Sequence, residues 1–234
     1  MEEKMKGILC GVGVGPGDYE LITLKAVKLL KAAEIIAVPQ SGGEKNAALD
    51  IIEHVVDLND KILLDLNFPM VKDKDILKKQ HEKNAEIIEN YLNKGKNVAF
   101  ISIGDISIYS TFGYINDIVK KDGFKTEMIA GVPSFCAVSA ALNISLTEMR
   151  KPITIIPAAH SDTEKFLKMD GTKVFMKSGN SIKDIKENLK SIKYFKAYAV
   201  SDCGYESEKI FDDINKADEK MGYFTTVIVK DVKQ

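Results

Sequence analysis

GILCGVGVGPGDYELITLKA, residues Gly7 to Ala26, runs a short apolar strand into a glycine loop and from there into a helix. Glycines at 11, 13, 15 and 17 permit positive φ angles and let a ligand approach bare backbone. A loop of this kind after a first strand falls at the carboxyl edge of a parallel sheet, where open α/β folds bind their ligands. It is not a dinucleotide fingerprint, which needs glycines at offsets of two and five. Counted from Gly11 the last position is Pro16, and counted from Gly13 it is Asp18. The second strand, EIIAVPQ, ends in Pro39-Gln40 where a dinucleotide fold offers an acid to the ribose. No Gly-Lys-Ser/Thr follows the loop, so the Walker pattern fails too. The loop is therefore either a binding turn of another kind or a tight structural turn.

Two more glycine turns follow apolar strands. Ile103-Gly104-Asp105-Ile106-Ser107-Ile108-Tyr109-Ser110 comes after VAFIS, with Ser110 placed to cap the next helix. Asp105 either accepts hydrogen bonds from a ribose or amino group of a ligand, or caps local backbone N–H groups. Ala130-Gly131-Val132-Pro133-Ser134 then opens a helix rich in small residues, FCAVSAAL. Three glycine turns at strand carboxyl ends together predict one cleft lined by backbone.

Working outward, short apolar runs alternate with helix-length amphipathic segments. Strands are expected at Gly7–Val12, Ile35–Val38, Lys61–Leu66, Val98–Ser102 and Thr126–Ile129. Helices are expected at Leu24–Ala33, Ala47–Val55, Ile76–Leu92 and Phe112–Lys121. This alternation predicts a parallel sheet covered on both faces. After Ile129 the pattern restarts, with a helix over Phe135–Leu142 and strands at Ile153–Pro157, Val174–Met176, Ala197–Ser201 and Thr226–Val229. Helices at Glu164–Leu167 and Ile182–Leu189 lie among them. Two α/β domains, 1–130 and 131–234, suit the chain's 234 residues. The lysine-rich stretch Lys72–Lys83 reads mainly as a solvated helix face.

A net charge of −1 gives no overall basic field for nucleic acid. No run approaches the ~18 apolar residues of a membrane helix, and the start of the chain does not read as a secretory leader. Cys10, Cys136 and Cys203 are scattered and odd in number, which argues against a disulfide framework. Cys10 and Cys136 read as small core residues, in a reducing cytoplasm. His54, His81 and His160 have no ligand spacing, so no protein-held metal is expected.

Gly13–Asp18 (GVGPGD) with Ile22–Ala26 (ITLKA), Gly104–Ser110 (GDISIYS) and Ala130–Ser134 (AGVPS) resemble the tetrapyrrole (corrin/porphyrin) methylases in order and spacing. The first motif is the specific one. The resemblance extends over essentially the whole chain. It implies two α/β domains, a parallel N-terminal sheet and a mixed C-terminal one, with S-adenosylmethionine in the cleft between them, and a homodimer. Within the family, LLDLNFPMVKDKD at Leu63–Asp75 and VSDCGYESEKIF at Val200–Phe211 are similar to the precorrin-2 C-20 methyltransferases. At Ile106 the chain departs from the family, which has a proline there that stiffens the loop.

Carried over by position, the resemblance implies cofactor contacts at Gly15, Pro16, Ile103, Gly104, Asp105, Ile108, Pro133 and Ser134, with Lys177 and Gly204 from the second half. It places Pro39, Phe68, Pro69 and Met70 along the substrate trough, where Pro39 is otherwise a simple strand stop and Phe68 and Met70 are otherwise loop packing. The substrate it implies, precorrin-2 or cobalt-precorrin-2, carries many carboxylates. Arg150, the one arginine of the chain, is therefore a candidate partner, or else surface decoration on an inter-domain loop. Tyr109 is the candidate for orienting the substrate or accepting a hydrogen bond, or else a partly buried aromatic at a helix start. His160 is a further group for the trough or a substrate cobalt. Competing expectations are methylation of another ring carbon, a diphthamide-type methylase, and a non-catalytic S-adenosylmethionine-binding protein.

Overall fold

The computed structural model describes residues 5–40, 46–158 and 162–232, and the chain divides into two compact units, 1–133 and 134–234. In the first unit five strands, β1 (Ile8–Gly13), β2 (Ile35–Gln40), β3 (Ile62–Asn67), β4 (Val98–Ser102) and β5 (Lys125–Ile129), form one parallel sheet. Their order is β3-β2-β4-β1-β5. Helices α1 (Leu24–Ala32), α2 (Ala47–Glu53), α3 (Lys74–Leu92) and α4 (Phe112–Lys121) connect them.

Because consecutive strand residues point to opposite faces, the apolar runs feed two cores. Cys10, Val12, Ile36, Val38, Ala99 and Ile101 pack under α1 and α2 through Leu30, Ile51 and Ile52. Leu9, Ile35, Ala37, Val98 and Phe100 pack under α3 and α4 through Ile88, Leu92, Phe112 and Ile115. The neighbours β1 and β4 thus send their loops to opposite faces. That is a topological switch point, where open α/β sheets place ligands.

Local chemistry sets the helix starts. Thr23 accepts a hydrogen bond from Ala26 N–H at 3.2 Å to cap α1, and Asn46 and Asp73 cap α2 and α3 in the same way. Asn84, nearly fully buried, donates to Asn67 O at 2.7 Å and fixes the segment between β3 and α3. The outer face of α3 is solvated, with Lys78 and Glu82 3.9 Å apart and exposed, a pair of little energetic value.

The second unit holds α5 (Ser134–Ala141), β6 (Ile153–Pro157), α6 (Thr163–Leu167), β7 (Thr172–Met176), α7 (Ile182–Leu189), β8 (Phe195–Ser201), β9 (Lys209–Phe211) and β10 (Thr225–Asp231). Its sheet, ordered β6-β7-β10-β8-β9, is mixed: β6 and β7 are parallel and the remaining pairs antiparallel. Leu167, Ile182, Ile185 and Leu189 close one face over Phe175, Ala199 and Val227.

β7 begins two residues earlier than its apolar run suggests, because Lys173 is buried with its charge matched. Its ammonium meets the Asp231 carboxylate and donates to the carbonyls of Met169 at 2.9 Å and Gly171 at 3.0 Å. Two expectations fail in this unit. Cys136 is exposed, since α5 is apolar all round and its sequence does not mark the buried face. Arg150 does not lie on an inter-domain loop but between α5 and β6, within the unit, and is exposed. Among the described residues, no helix is long and apolar enough to cross a membrane.

Candidate functional site

In the first unit the three glycine turns meet at the ends of β4, β1 and β5. Gly15 and Gly104 bridge in both directions, with Gly104 N–H donating to Gly15 O at 2.6 Å and Gly15 N–H to Gly104 O at 3.2 Å. Their φ angles are +87° and +72°, which L side chains rarely adopt. The missing side chains at Gly13 and Gly131 leave room for neighbouring backbone, not for a ligand. A Cβ on Gly13 would stand 2.7 Å from Gly104 O, and one on Gly131 would stand 2.2 Å from the same atom. The glycines therefore let the three turns interlock backbone to backbone at the ends of these strands. Pro16 is buried in the first turn, and Asp18 caps the short helical turn at Tyr19–Leu21. Tyr19 stacks on His54 at 4.9 Å, anchoring that turn beside α2.

Asp105 is half-buried, and its side chain serves backbone. One carboxylate oxygen accepts the Ser107 N–H at 2.9 Å and the Ser107 hydroxyl; the other accepts the Gly131 N–H at 2.9 Å. Partial burial pushes this carboxyl up, but the bonds from Ser107 and Gly131 together outweigh it and hold the group below its ordinary value. The resulting stabilisation is present above the unfolded carboxyl value and is lost as pH falls through the depressed folded value. The melting-temperature gap between the wild type and Asp105→Asn is expected to be constant near neutrality and to narrow only below about pH 4.

Ile106, at the position of the family proline, is 2% exposed and packs into the core under α3 and α4. Core packing there takes over the restraint that a fixed φ would give. Ser110 donates its hydroxyl to Ser102 Oγ at 3.0 Å and accepts Phe112 N–H at 3.2 Å. The helix cap proper is Thr111, so Ser110 acts one position earlier than expected. Ile103 is partly buried on the α1/α2 side, and Ile108 is half-buried with its N–H on Asp105 O. Pro133 closes the third turn and Ser134 begins α5.

Tyr109 is 46% exposed and has a φ of +48°. Burial of part of the ring pushes its phenol up, so the group is a neutral hydrogen-bond donor near pH 7. Among the described residues, five non-glycine positions have positive φ: Tyr109, Asn143, Lys177, Tyr194 and Asp202. Lys177 and Asp202 directly follow β7 and β8, and Tyr109 lies in the turn after β4. Such conformations cost of order 1–3 kcal/mol each and collect at ligand clamps.

Within the second unit these strained turns share one sheet edge. Ser178 donates its N–H and hydroxyl to Thr225 O at 2.9 and 3.0 Å, and Asp202 N–H donates to Phe224 O at 3.1 Å. Lys177 Nζ lies 5.4 Å from the Tyr223 ring, and Gly204, with φ +85°, is exposed and donates to Glu208. The Thr225 side of this edge was not legible beforehand, because TTVIVK reads only as a strand.

Of the residues expected along a substrate trough or as loop packing, Phe68 packs. It is 5% exposed and packs against Phe100 at 6.0 Å and His81 at 5.8 Å, because the residue after β3 turns back over the core. Met70, two residues on, is 75% exposed, and Pro69 lies between them half-buried. Pro39 is half-buried near the end of β2, beyond the last residue that pairs with β4, where its missing N–H is tolerated. Beside this segment His81 stacks on the exposed Tyr114 at 4.6 Å, and burial pushes the imidazole down, towards its neutral form. That pair leaves no signal in the sequence, since helical i,i+3 spacing never relates two different helices. His160 lies outside the described residues.

Gln40, at the end of β2, donates to Asp65 on β3 at 2.7 Å. The chain is 40% identical over 232 residues, 96% of each sequence, to a probable cobalt-precorrin-2 C(20)-methyltransferase of Methanocaldococcus jannaschii. It is 27% identical over 234 residues, 95% of each, to a precorrin-2 C(20)-methyltransferase of Sinorhizobium sp. In fold it matches uroporphyrin-III C-methyltransferase of Thermus thermophilus, solved in complex with S-adenosylhomocysteine. The TM-score is 0.68 at 19% identity, covering 96% of this chain and 97% of that one. With these full-length likenesses, and with residues 9–217 matching the family profile of the Tetrapyrrole (Corrin/Porphyrin) Methylases, the chain belongs to that family.

Proposed function

We propose that the protein is an S-adenosylmethionine-dependent C-methyltransferase that methylates carbon 20 of cobalt-precorrin-2 in cobalamin biosynthesis, working in the cytoplasm as a homodimer. The observation that carries the substrate is the 40% end-to-end identity with a relative named for that reaction. The interlocked turns of the first unit support the cofactor. In this reading Gly15, Pro16, Ile103, Gly104, the backbone of Asp105, Ile108, Pro133 and Ser134 hold the cofactor.

When bound, S-adenosylmethionine supplies an electrophilic methyl group on a sulfonium. The chain's own task is orientation and exclusion of water, which can be worth on the order of 7 kcal/mol or more. Tyr109 orients the substrate through its phenol, which partial burial pushes up. Met70 and Pro69 offer apolar surface to the macrocycle, Pro39 walls its edge, and Arg150 pairs with a peripheral carboxylate.

Calorimetry is expected to show S-adenosylhomocysteine binding, with NAD and ATP bound far more weakly. Incubation with cobalt-loaded and metal-free precorrin-2 is expected to add one methyl group, faster on the cobalt form, and carbon-13 labelling places it at carbon 20. A label at another ring carbon would reassign the reaction. Tight NAD binding without any response to S-adenosylhomocysteine would overturn the methyltransferase reading.

A further inference from the structure

We propose that Asp105 is a positioning residue, whose carboxylate clamps the second glycine turn to the third across the end of β1 and so sets the backbone surface that meets the cofactor. This rests on the methyltransferase reading above. In the sheet β1 lies between β4 and β5, so the turns after β4 and β5 are not ladder neighbours. The 2.9 Å bond from Gly131 N–H to Asp105 nevertheless joins them, 26 residues apart. It passes over Gly13, whose added Cβ would stand 2.7 Å from both Gly104 O and Gly131 N. On the other side, the two-way bridge between Gly15 and Gly104 ties the first turn to the second. One carboxylate thus completes the link among all three turns.

A carboxylate has about four acceptor sites. Here three protein donors take three of them: the Ser107 N–H and hydroxyl on one oxygen and the Gly131 N–H on the other. A ligand hydroxyl would find a single acceptor site left, on the oxygen that already takes the Gly131 N–H. The clamp also accounts for the acid in this turn without a ligand contact, since an amide in its place would turn an NH2 group towards one of the protein donors.

Asp105→Asn separates the two roles. Its affinity for S-adenosylhomocysteine is expected to fall roughly tenfold or more, about 1.4 kcal/mol. The same fold-loss is expected with the 2′-deoxy and 3′-deoxy analogues, because a clamp acts on the turn and not on one ligand hydroxyl. Hydrogen exchange at the Gly131 amide, protected in the wild type, is expected to accelerate in the variant. If the variant does not fold, Ser107→Ala removes one donor and leaves the Gly131 bond, and a roughly threefold loss, equal across the three ligands, is expected. A penalty that vanishes on either deoxy analogue would make Asp105 a direct ligand and overturn the clamp, as would unchanged exchange at Gly131. Wild-type protein that binds no S-adenosylhomocysteine sinks the methyltransferase reading instead, and the Gly131 exchange still decides the clamp.

Discussion

Gly131→Ala is expected to abolish S-adenosylhomocysteine binding, with at least a hundredfold loss of affinity, about 2.8 kcal/mol. The added methyl would stand 2.2 Å from Gly104 O, 2.8 Å from the Gly13 carbonyl carbon and 2.9 Å from Gly13 Cα. All three atoms are backbone, so none can rotate away, and the turns have to part. Parting them also pulls Gly131 N–H off Asp105, which leaves a half-buried carboxylate short of a donor. Gly113→Ala is the matched control. Gly113 lies in the first turn of α4, and a Cβ there meets nothing within 4 Å. Alanine is the better helix former by roughly 1 kcal/mol, so this variant is expected to bind normally and to melt slightly higher. Calorimetry beside thermal melts reads both effects. Wild-type affinity in Gly131→Ala would mean that the cofactor does not depend on the convergence of the turns.

Phe68→Ala and Met70→Ala are expected to part company, although the two residues are two apart in one short segment. Phe68 is 5% exposed and meets Phe100 in a T-shaped contact, and truncating a buried phenylalanine typically costs ~3–5 kcal/mol of stability. That is a large fraction of the ~5–15 kcal/mol holding a domain together, so Phe68→Ala is expected to melt far below the wild type. Met70, 75% exposed, has little packing to lose. Met70→Ala is expected to leave the melting temperature and S-adenosylhomocysteine affinity unchanged while raising the KM for the tetrapyrrole several-fold, since buried apolar area contributes roughly 25 cal/mol per Å². Equal turnover by Met70→Ala and the wild type at limiting tetrapyrrole would remove Met70 from the substrate surface.

The split between these residues marks where reading by sequence stops. The apolar runs were sufficient to bound β4 at Val98–Ser102, α4 at Phe112–Lys121, β6 at Ile153–Pro157 and α7 at Ile182–Leu189, because periodicity is a property of neighbouring residues. The glycine turns were legible for the same reason: each is a contiguous motif between a strand and a helix. The burial of Phe68 and the exposure of Cys136 were not legible, because no period runs through a loop or through a helix that is apolar on every side. Lys173 lengthened β7 only because Asp231, far along the chain, meets its charge in the interior.

The site followed the same division. The sequence by itself determined the family, the alternation of strand and helix, and the three glycine turns at strand ends. Tertiary structure alone decided the strand order that sets β1 between β4 and β5. It also decided that the glycines make room for one another's backbone, and that Asp105 reaches Gly131. Those outcomes depend on contacts between residues distant in the chain, and such contacts form only when long-range strand pairing brings the turns to one sheet edge.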